Sequence, residues 1–125
     1  MSGSKKILIV DDSSTNVVLL DAVLNEKGYQ IFAALSVKEA YAILEKDIPD
    51  LVILDLLMPK FNGYDFLARI RSDSRWDQIP VILVSAVTES EDIKKAQSFG
   101  GIVDFIQKPV DIEQISDLVD SVFSK

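Results

Sequence analysis

Five short apolar runs alternate along the chain with segments of helical periodicity. The runs are Ile7–Val10, Ile31–Ala34, Leu51–Leu54, Val81–Val84 and Val103–Ile106. They begin roughly 20 to 30 residues apart, which is the spacing of a strand followed by a crossover helix. Three of them are continuous rather than alternating, a pattern typical of strands buried on both faces of a parallel sheet. We therefore predict five parallel strands, with the weaker second and fifth runs at the flanks.

The segments between the runs carry apolar residues at helical spacing and the signals that begin and end helices. Ser13 or Ser14 can cap the first helix, and Gly28 can end it. Ser36 and Glu39 form a capping box for the second helix. Three further helices are predicted from about Gly63, over about Glu89–Phe99, and after Pro109.

This alternation predicts a doubly wound (βα)5 fold of the α/β class, a three-layer sandwich. Helices would cover both faces of one five-stranded parallel sheet, and we expect residues 1–125 to form a single domain. Ligands of such sheets bind outside the carboxyl ends of the strands. The residues that follow each run are therefore the candidates for chemistry.

The composition excludes several kinds of site. The chain has no Cys and no His, which removes disulfides, thiolate or imidazole catalysis, and metals held by those side chains. A net charge of −7 disfavours binding to nucleic acid or to an anionic membrane surface. Neither a signal peptide nor an apolar run of about 18 residues is present. We therefore expect a cytoplasmic protein that binds neither nucleic acid nor membrane.

Polar side chains follow four of the five runs. Asp11 and Asp12 follow the first, Asp55 the third, Ser85 the fourth and Lys108 the fifth. If the first and third strands are neighbours, the three carboxylates meet in one pocket. Carboxylates about 4 Å apart repel by about 1 kcal/mol in water and about 4 kcal/mol near a protein surface. We therefore expect an oxygen-liganded cation there, and Mg²⁺ fits a site with few carboxylates.

A pocket of this composition can transfer a phosphoryl group onto a carboxylate. Asp55 would attack, Mg²⁺ would bridge the attacking and transferred oxygens, and Lys108 and Ser85 would stabilise the developing charge. Each residue alone also has an ordinary explanation as a turn, a cap or a solvated charge. The prediction therefore depends on their occurrence together, each at the end of a different strand.

These residues closely resemble the response-regulator receiver domain of two-component signalling, over essentially the whole chain. The resembling segments are Ile7–Asp12, Leu54–Pro59 with Gly63, Val84–Ala86 and Lys108–Pro109. The resemblance implies a flavodoxin-like topology with the strand order 2-1-3-4-5. It also implies that Asp55 is phosphorylated, and that Asp12, Asp55 and the backbone carbonyl of Leu57 ligate Mg²⁺. Asp11 would complete the acidic pocket through water, and Lys108 would contact the phosphoryl group.

The resemblance further implies a switch. Ser85 would contact the phosphoryl group and move toward it, which would free space for the aromatic side chain of Phe105. The fourth helix, fifth strand and fifth helix would then repack and form the target face. Pro109 stands where the family commonly has a cis peptide bond. Leu57 and Val87 are apolar where some receivers carry polar side chains, so we expect slower self-hydrolysis of the phosphorylated state.

The function implied is a signalling switch and not a turnover enzyme. Because the chain has no His, the phosphohistidine would come in trans, from a histidine kinase or a histidine phosphotransfer protein. The phosphorylated chain would then change its affinity for a protein target or an output domain. Some family members also form homodimers through the face that contains the fourth and fifth helices.

Three other functions compete with a phosphorylated signalling switch. A haloacid-dehalogenase-like phosphatase needs a second acid two residues past its nucleophile, where this chain has Leu57, and usually a cap domain. A receiver-like interaction module that is never phosphorylated tends to have lost pocket residues, and none is missing here. A nucleotide-binding protein would show a Gly-x-Gly-x-x-Gly motif or a P-loop after the first strand, and neither occurs.

Overall fold

The computed structural model describes residues 4–58, 61–85, 90–108 and 111–124, with backbone only at 57–58, 61–62 and 90–93. In chain order the elements are β1 (Lys6–Val10), α1 (Ser14–Glu26), β2 (Gln30–Ala34), α2 (Val37–Lys46), β3 (Leu51–Asp55), β4 (Leu57–Met58), β5 (Phe61–Asn62), α3 (Gly63–Ser72), β6 (Val81–Ser85), α4 (Ser90–Gln97), β7 (Ile102–Gln107) and α5 (Ile112–Phe123).

The five long strands form one parallel sheet in the order β2-β1-β3-β6-β7. Because β6 and β7 are the fourth and fifth predicted strands, the predicted order 2-1-3-4-5 and the α/β fold class are confirmed. The central strand β3 is buried along its whole length, whereas β2 and β7 at the flanks are partly exposed. Within the described ranges, no helix has the length and hydrophobicity required to cross a bilayer.

The helix boundaries follow from local hydrogen bonds. The Ser13 side chain accepts a bond from the Asn16 amide at 3.3 Å and begins α1, and Gly28 adopts φ 96° just after its end. The Ser36 hydroxyl accepts a bond from the Glu39 amide at 3.2 Å and begins α2. These side chains satisfy amides that lack a partner within the helix, as the sequence predicted.

Two apolar clusters lie on opposite faces of the sheet. One contains Leu8 and Val10 of β1 and packs against α2, α3 and α4. The other contains Ile7 and Ile9 of the same strand and packs against α1 and α5. Successive strand residues point to opposite faces, so a continuous apolar run supplies both clusters at once. The runs thus fix the position of each strand end, and hence of the polar residues that follow.

Two features of the strands are absent from the sequence prediction. The short strands β4 and β5 pair in antiparallel fashion directly after β3. In β7 the register against β6 shifts, since Ile102 pairs with Val81 but Asp104 pairs with Ile82. Val103 is left as the extra residue of a β-bulge and is 41% exposed. The bulge allows Ile102 and Phe105 to pack against the same cluster although they are three residues apart.

The Arg71 guanidinium joins two loops at the amino edge of the sheet. Its Nε donates to the carbonyl of Gly100 at 2.9 Å, and its Nη2 donates to the carbonyl of Ile79 at 2.7 Å. Its Nη1 lies 3.4 and 3.3 Å from the carbonyls of Trp76 and Asp77. We call this group of bonds the Arg71 clamp. It ties the segment before β6 to the turn before β7.

Candidate functional site

The strand order brings the ends of β1 and β3 together at the carboxyl edge of the sheet. Asp55 is the last residue of β3, and Asp11 follows the last residue of β1. The Asp11 amide donates to the carbonyl of Ala34 at 3.1 Å, which holds it in line with the sheet. On the other side, the Lys108 amide donates to the carbonyl of Ser85 at 2.8 Å. The sheet register therefore extends to the residues that carry the candidate chemistry.

Three carboxylates meet at this edge. Asp11, Asp12 and Asp55 each offer an oxygen, and these oxygens all lie within 4.8 Å of one another. Asp11 and Asp55 are buried, with 4% and 3% of their surface exposed, whereas Asp12 is exposed. A cluster of hard oxygen ligands without nitrogen or sulfur fits a hard divalent cation such as Mg²⁺. We call this cluster, together with Lys108, the acidic pocket.

Lys108 supplies the positive charge of the acidic pocket. Its Nζ lies 3.0 Å from Asp55 Oδ2 and 3.7 Å from Asp11 Oδ2. Burial lowers the pKa of Lys108, but the hydrogen bond to Asp55 and the charges of Asp55, Asp11 and Asp12 outweigh burial, so the pKa stands above its ordinary value. The ammonium therefore stays protonated at neutral pH, and among the described residues it is the cation that lies beside the three carboxylates.

The first turn of α1 orients Asp11. The Ser13 amide donates to Asp11 Oδ1 at 2.9 Å, and the Asn16 side-chain amide donates to Asp11 Oδ2 at 3.4 Å. Both oxygens of Asp11 are thus engaged by the protein. Asn16 was not among the predicted site residues, although its place in the turn after the aspartate pair is a signal for a side chain aimed back at the pocket.

Ser85 and Phe105 lie at different depths in the fold. Ser85 is fully buried at the carboxyl end of β6, beside Lys108. Phe105 is half-buried, pairs with Leu83 and packs against the cluster under α2, α3 and α4. The structure therefore places Ser85 at the pocket edge, and Phe105 on the face where α4 packs.

The loop after Asp55 turns back to the start of α3. The Gly63 amide donates to the carbonyl of Leu56 at 2.9 Å. A Cβ atom on Gly63 would lie 2.8 Å from the Cα of Leu56, closer than such atoms approach in proteins. The backbone of Leu57 begins β4, so its carbonyl belongs to this same loop. Val87 and Pro109, which the sequence analysis also named, lie outside the described residues.

Comparison with known proteins gives a family and several relatives. The family model of the response regulator receiver domain matches residues 7–120. The sporulation initiation phosphotransferase F of Bacillus subtilis is 38% identical, over 93% of this chain and 91% of the relative. PilH of Pseudomonas aeruginosa is 33% identical, over 95% of this chain and 98% of the relative. The response regulator PleD of Caulobacter vibrioides is 36% identical, but the match covers only 24% of its length.

Solved structures agree with this assignment. The chemotaxis protein CheY4 of Vibrio cholerae superposes with a TM-score of 0.89 at 26% identity, over 97% of this chain and 100% of that one. The receiver domain of a histidine kinase from Syntrophus aciditrophicus gives a TM-score of 0.83 at 33% identity, over 96% of this chain and 90% of that one. The chain therefore belongs to the family of response-regulator receiver domains, the signalling switches of two-component systems.

Proposed function

We propose that this receiver domain is switched by phosphorylation of Asp55, with a phosphohistidine of a histidine kinase or a phosphotransfer protein as donor. The observation that carries the proposal is the position of the Asp55 carboxylate, which is buried, held 3.0 Å from Lys108 and clustered with Asp11 and Asp12. The chain has no His, so the donor histidine belongs to a partner.

The transfer makes one bond and breaks one. An Asp55 carboxylate oxygen attacks the phosphorus of the donor, the phosphorus–nitrogen bond breaks, and its electron pair remains on the donor imidazole. Lys108 lies within hydrogen-bond distance of Asp55 and can donate to an oxygen of the transferred group. Ser85 contributes a hydroxyl donor from the end of β6. These donors stabilise negative charge as the phosphoryl group arrives.

The acidic pocket also fits a magnesium ion. Asp12, Asp55 and the backbone carbonyl of Leu57 would be its protein ligands, because all three offer oxygen atoms at the same sheet edge. Asp11 would act through water, which agrees with the two hydrogen bonds that already engage its oxygens. When bound, Mg²⁺ supplies positive charge that offsets both the clustered carboxylates and the phosphoryl oxygens.

The readout follows from the packing around the pocket. Movement of the buried Ser85 toward the new phosphoryl oxygens frees space that Phe105 fills by turning inward. α4, β7 and α5 then repack and present a changed face to a protein target, which is also the face for a possible homodimer. Leu57 and Val87, two residues beyond Asp55 and Ser85 in the sequence, are apolar where some receivers are polar, and we expect them to slow self-hydrolysis of the acyl phosphate.

We further propose that residues 1–125 form one receiver domain that acts in the cytoplasm and contacts neither membrane nor nucleic acid. The family match covers residues 7–120 and supports the first point. One relative is named as a DNA-binding transcriptional regulator, RpaA of Synechocystis, but this chain matches 45% of it. The net charge of −7 argues against DNA binding by the receiver itself.

Intact-mass measurement after incubation with acetyl phosphate and Mg²⁺ tests the proposal. We expect one alkali-labile phosphoryl group in the native protein and in the control Asp117→Asn, an exposed residue of α5, and none in Asp55→Asn. Omission of Mg²⁺ should also remove it. An adduct that persists in Asp55→Asn contradicts the assignment, and the absence of any adduct favours an unphosphorylated interaction module. Sustained hydrolysis of unrelated phosphate esters favours a phosphatase.

A further inference from the structure

Few described contacts attach α4 to the rest of the molecule. Side chains of this helix are described from Lys94 to Gln97, and among these only Ala96 is buried. Phe99, in the turn that follows, is partly buried against the same apolar cluster. Since an alanine buries little apolar surface, the described part of α4 contributes little hydrophobic stabilisation. A further described contact of this segment therefore adds to what holds the helix in place.

Lys95 provides such a contact. Its Nζ lies 4.3 Å from the centroid of the Tyr64 ring, a distance at which an ammonium is attracted to the face of an aromatic ring. Tyr64 is in the first turn of α3 and is only 7% exposed. The ring is therefore fixed by the core, and the lysine of α4 reaches over it. We call this contact the Lys95–Tyr64 latch.

The latch is connected through the backbone to the phosphorylation loop. Tyr64 directly follows Gly63, whose amide bonds to the carbonyl of Leu56 at 2.9 Å. Leu56 in turn directly follows Asp55. Because a side chain on Gly63 would collide with the backbone of Leu56, these two segments lie in close contact as well as being hydrogen-bonded. A displacement at Asp55 is therefore passed to the ring of Tyr64 over a very short path.

We propose that the Lys95–Tyr64 latch holds α4 in its resting position and couples that position to the loop that carries Asp55. This role rests on the proposed function, and it adds a second route from the pocket to α4, separate from Ser85 and Phe105. Phosphorylation that shifts Leu56 and Gly63 moves the ring away from the lysine and releases α4. Lys95 is a positioning residue in this scheme and takes no part in phosphoryl transfer.

Hydrogen exchange of the unphosphorylated protein tests the latch directly. In Lys95→Met, which keeps most of the unbranched side chain but removes its charge, we expect amides of α4 to exchange about twofold to fivefold faster. Tyr64→Leu should give the same increase, and Tyr64→Phe, which retains the ring, should give most of the native protection. The double variant Lys95→Met with Tyr64→Leu should exchange no faster than either single variant, because both remove one interaction.

Lys94→Met is the matched control. Lys94 precedes Lys95 on α4 and is also exposed, so the substitution makes the same change in charge, and the described residues place no aromatic ring against it. Equal acceleration in Lys94→Met and Lys95→Met overturns the latch, as does an additive effect in the double variant. Melting temperatures near the native value for all variants would show that the exchange reports local opening.

A second measurement separates failure of the latch from failure of the proposed function. Acetyl phosphate and Mg²⁺ should accelerate exchange in α4 of the native protein, and this increment should shrink in Lys95→Met. If native α4 does not respond although Asp55 is phosphorylated, the proposed switch is wrong, while the resting-state comparison still tests the latch. If native α4 responds and Lys95→Met responds by the same factor, the coupling role of the latch is wrong.

Discussion

The two edges of the sheet hold charged side chains in different electrostatic surroundings. At the amino edge, the guanidinium of the Arg71 clamp donates to the carbonyls of Gly100, Ile79, Trp76 and Asp77. At the carboxyl edge, three carboxylates cluster around the Lys108 ammonium, which pairs with Asp11 and Asp55. The Arg71 clamp joins one positive charge to neutral acceptors, whereas the described residues of the acidic pocket carry more negative than positive charge.

This difference separates a structural charge from a functional one. Hydrogen bonds to a charged group stabilise a fold when every donor has an acceptor. Like charges held in one pocket destabilise it, unless a ligand arrives to offset them. Loss of the Arg71 clamp should therefore lower the stability of the fold and change phosphorylation little. Loss of a pocket carboxylate should impair phosphorylation without lowering the stability of the fold. Substitutions at the two edges can test that division.

Loss of the Arg71 clamp should have the largest effect on stability. Arg71→Met keeps much of the apolar stem but leaves several backbone carbonyls without their donor, so we expect the free energy of unfolding to fall by about 3 kcal/mol. Urea denaturation measures it. The control is Arg69→Met on the same helix, where an exposed guanidinium lies 4.5 Å from the Tyr41 ring and should cost less than about 1 kcal/mol. A folded Arg71→Met protein that no longer accepts phosphate would contradict the division between the two edges.

Gly63→Ala should affect both stability and phosphorylation, because Gly63 packs against Leu56 in the loop that follows Asp55. The added methyl group would lie 2.8 Å from the Cα of Leu56 and closer still to its carbonyl oxygen, so we expect the free energy of unfolding to fall by about 2 kcal/mol and the phosphorylation of Asp55 to be slower. In Gly28→Ala the methyl group meets nothing, and only the positive φ of 96° is strained. In that control the free energy of unfolding should fall by about 1 kcal/mol, and phosphorylation of Asp55 should be normal. Equal phosphorylation of both variants would show that the loop tolerates displacement.

The acidic pocket should respond in the opposite direction. Asp12→Asn removes one of three clustered negative charges, so we expect a gain of up to about 1 kcal/mol in buffer without Mg²⁺. The same variant should lose most of the stabilisation that added Mg²⁺ gives to the native protein, because stabilisation by a ligand follows its affinity for the folded state. Denaturation with and without Mg²⁺ measures both effects, with Asp117→Asn as control. Equal Mg²⁺ stabilisation of Asp12→Asn and the native protein would remove Asp12 from the site.

The features predicted from sequence are those with a periodic or strongly local signal. The runs Leu51–Leu54 and Val81–Val84 gave the buried strands, and the Ser36–Glu39 capping box gave the start of α2. The convergence of Asp11 and Asp55 followed once β1 and β3 were neighbours. The strand order itself came from resemblance to the family, because alternation of strands and helices fixes the fold class and leaves the order of the strands open.

Contacts that depend on tertiary geometry could not be predicted. The Arg71 clamp joins carbonyls in two separate loops, and nothing in the periodicity of α3 distinguishes Arg71 from Arg69. The bulge at Val103 arises because the register of β7 is fixed at both ends, with Ile102 opposite Val81 and Gln107 opposite Ser85. A count of residues along one strand cannot reveal this mismatch. The strands β4 and β5 have two residues each, too few for any alternation to appear.

The smallest predicted effect concerns the ammonium that the pocket carboxylates share. Because the pKa of Lys108 is raised above 10.5 by its carboxylate partners, the folded state holds this proton more tightly than the unfolded chain does. Its contribution to stability is therefore fully present below pH 10.5 and is lost as the pH rises through the higher folded value. We expect the difference in unfolding free energy between the native protein and Lys108→Met to shrink by about 0.5 kcal/mol across this range. Burial and a hydrogen bond to Asp120 raise the pKa of Tyr29 to about 12, so Tyr29 also stabilises the fold less as the pH rises. Because both proteins contain Tyr29, its effect cancels in the difference between their unfolding free energies. A difference that stays constant with pH would show that the carboxylates do not hold the ammonium in solution.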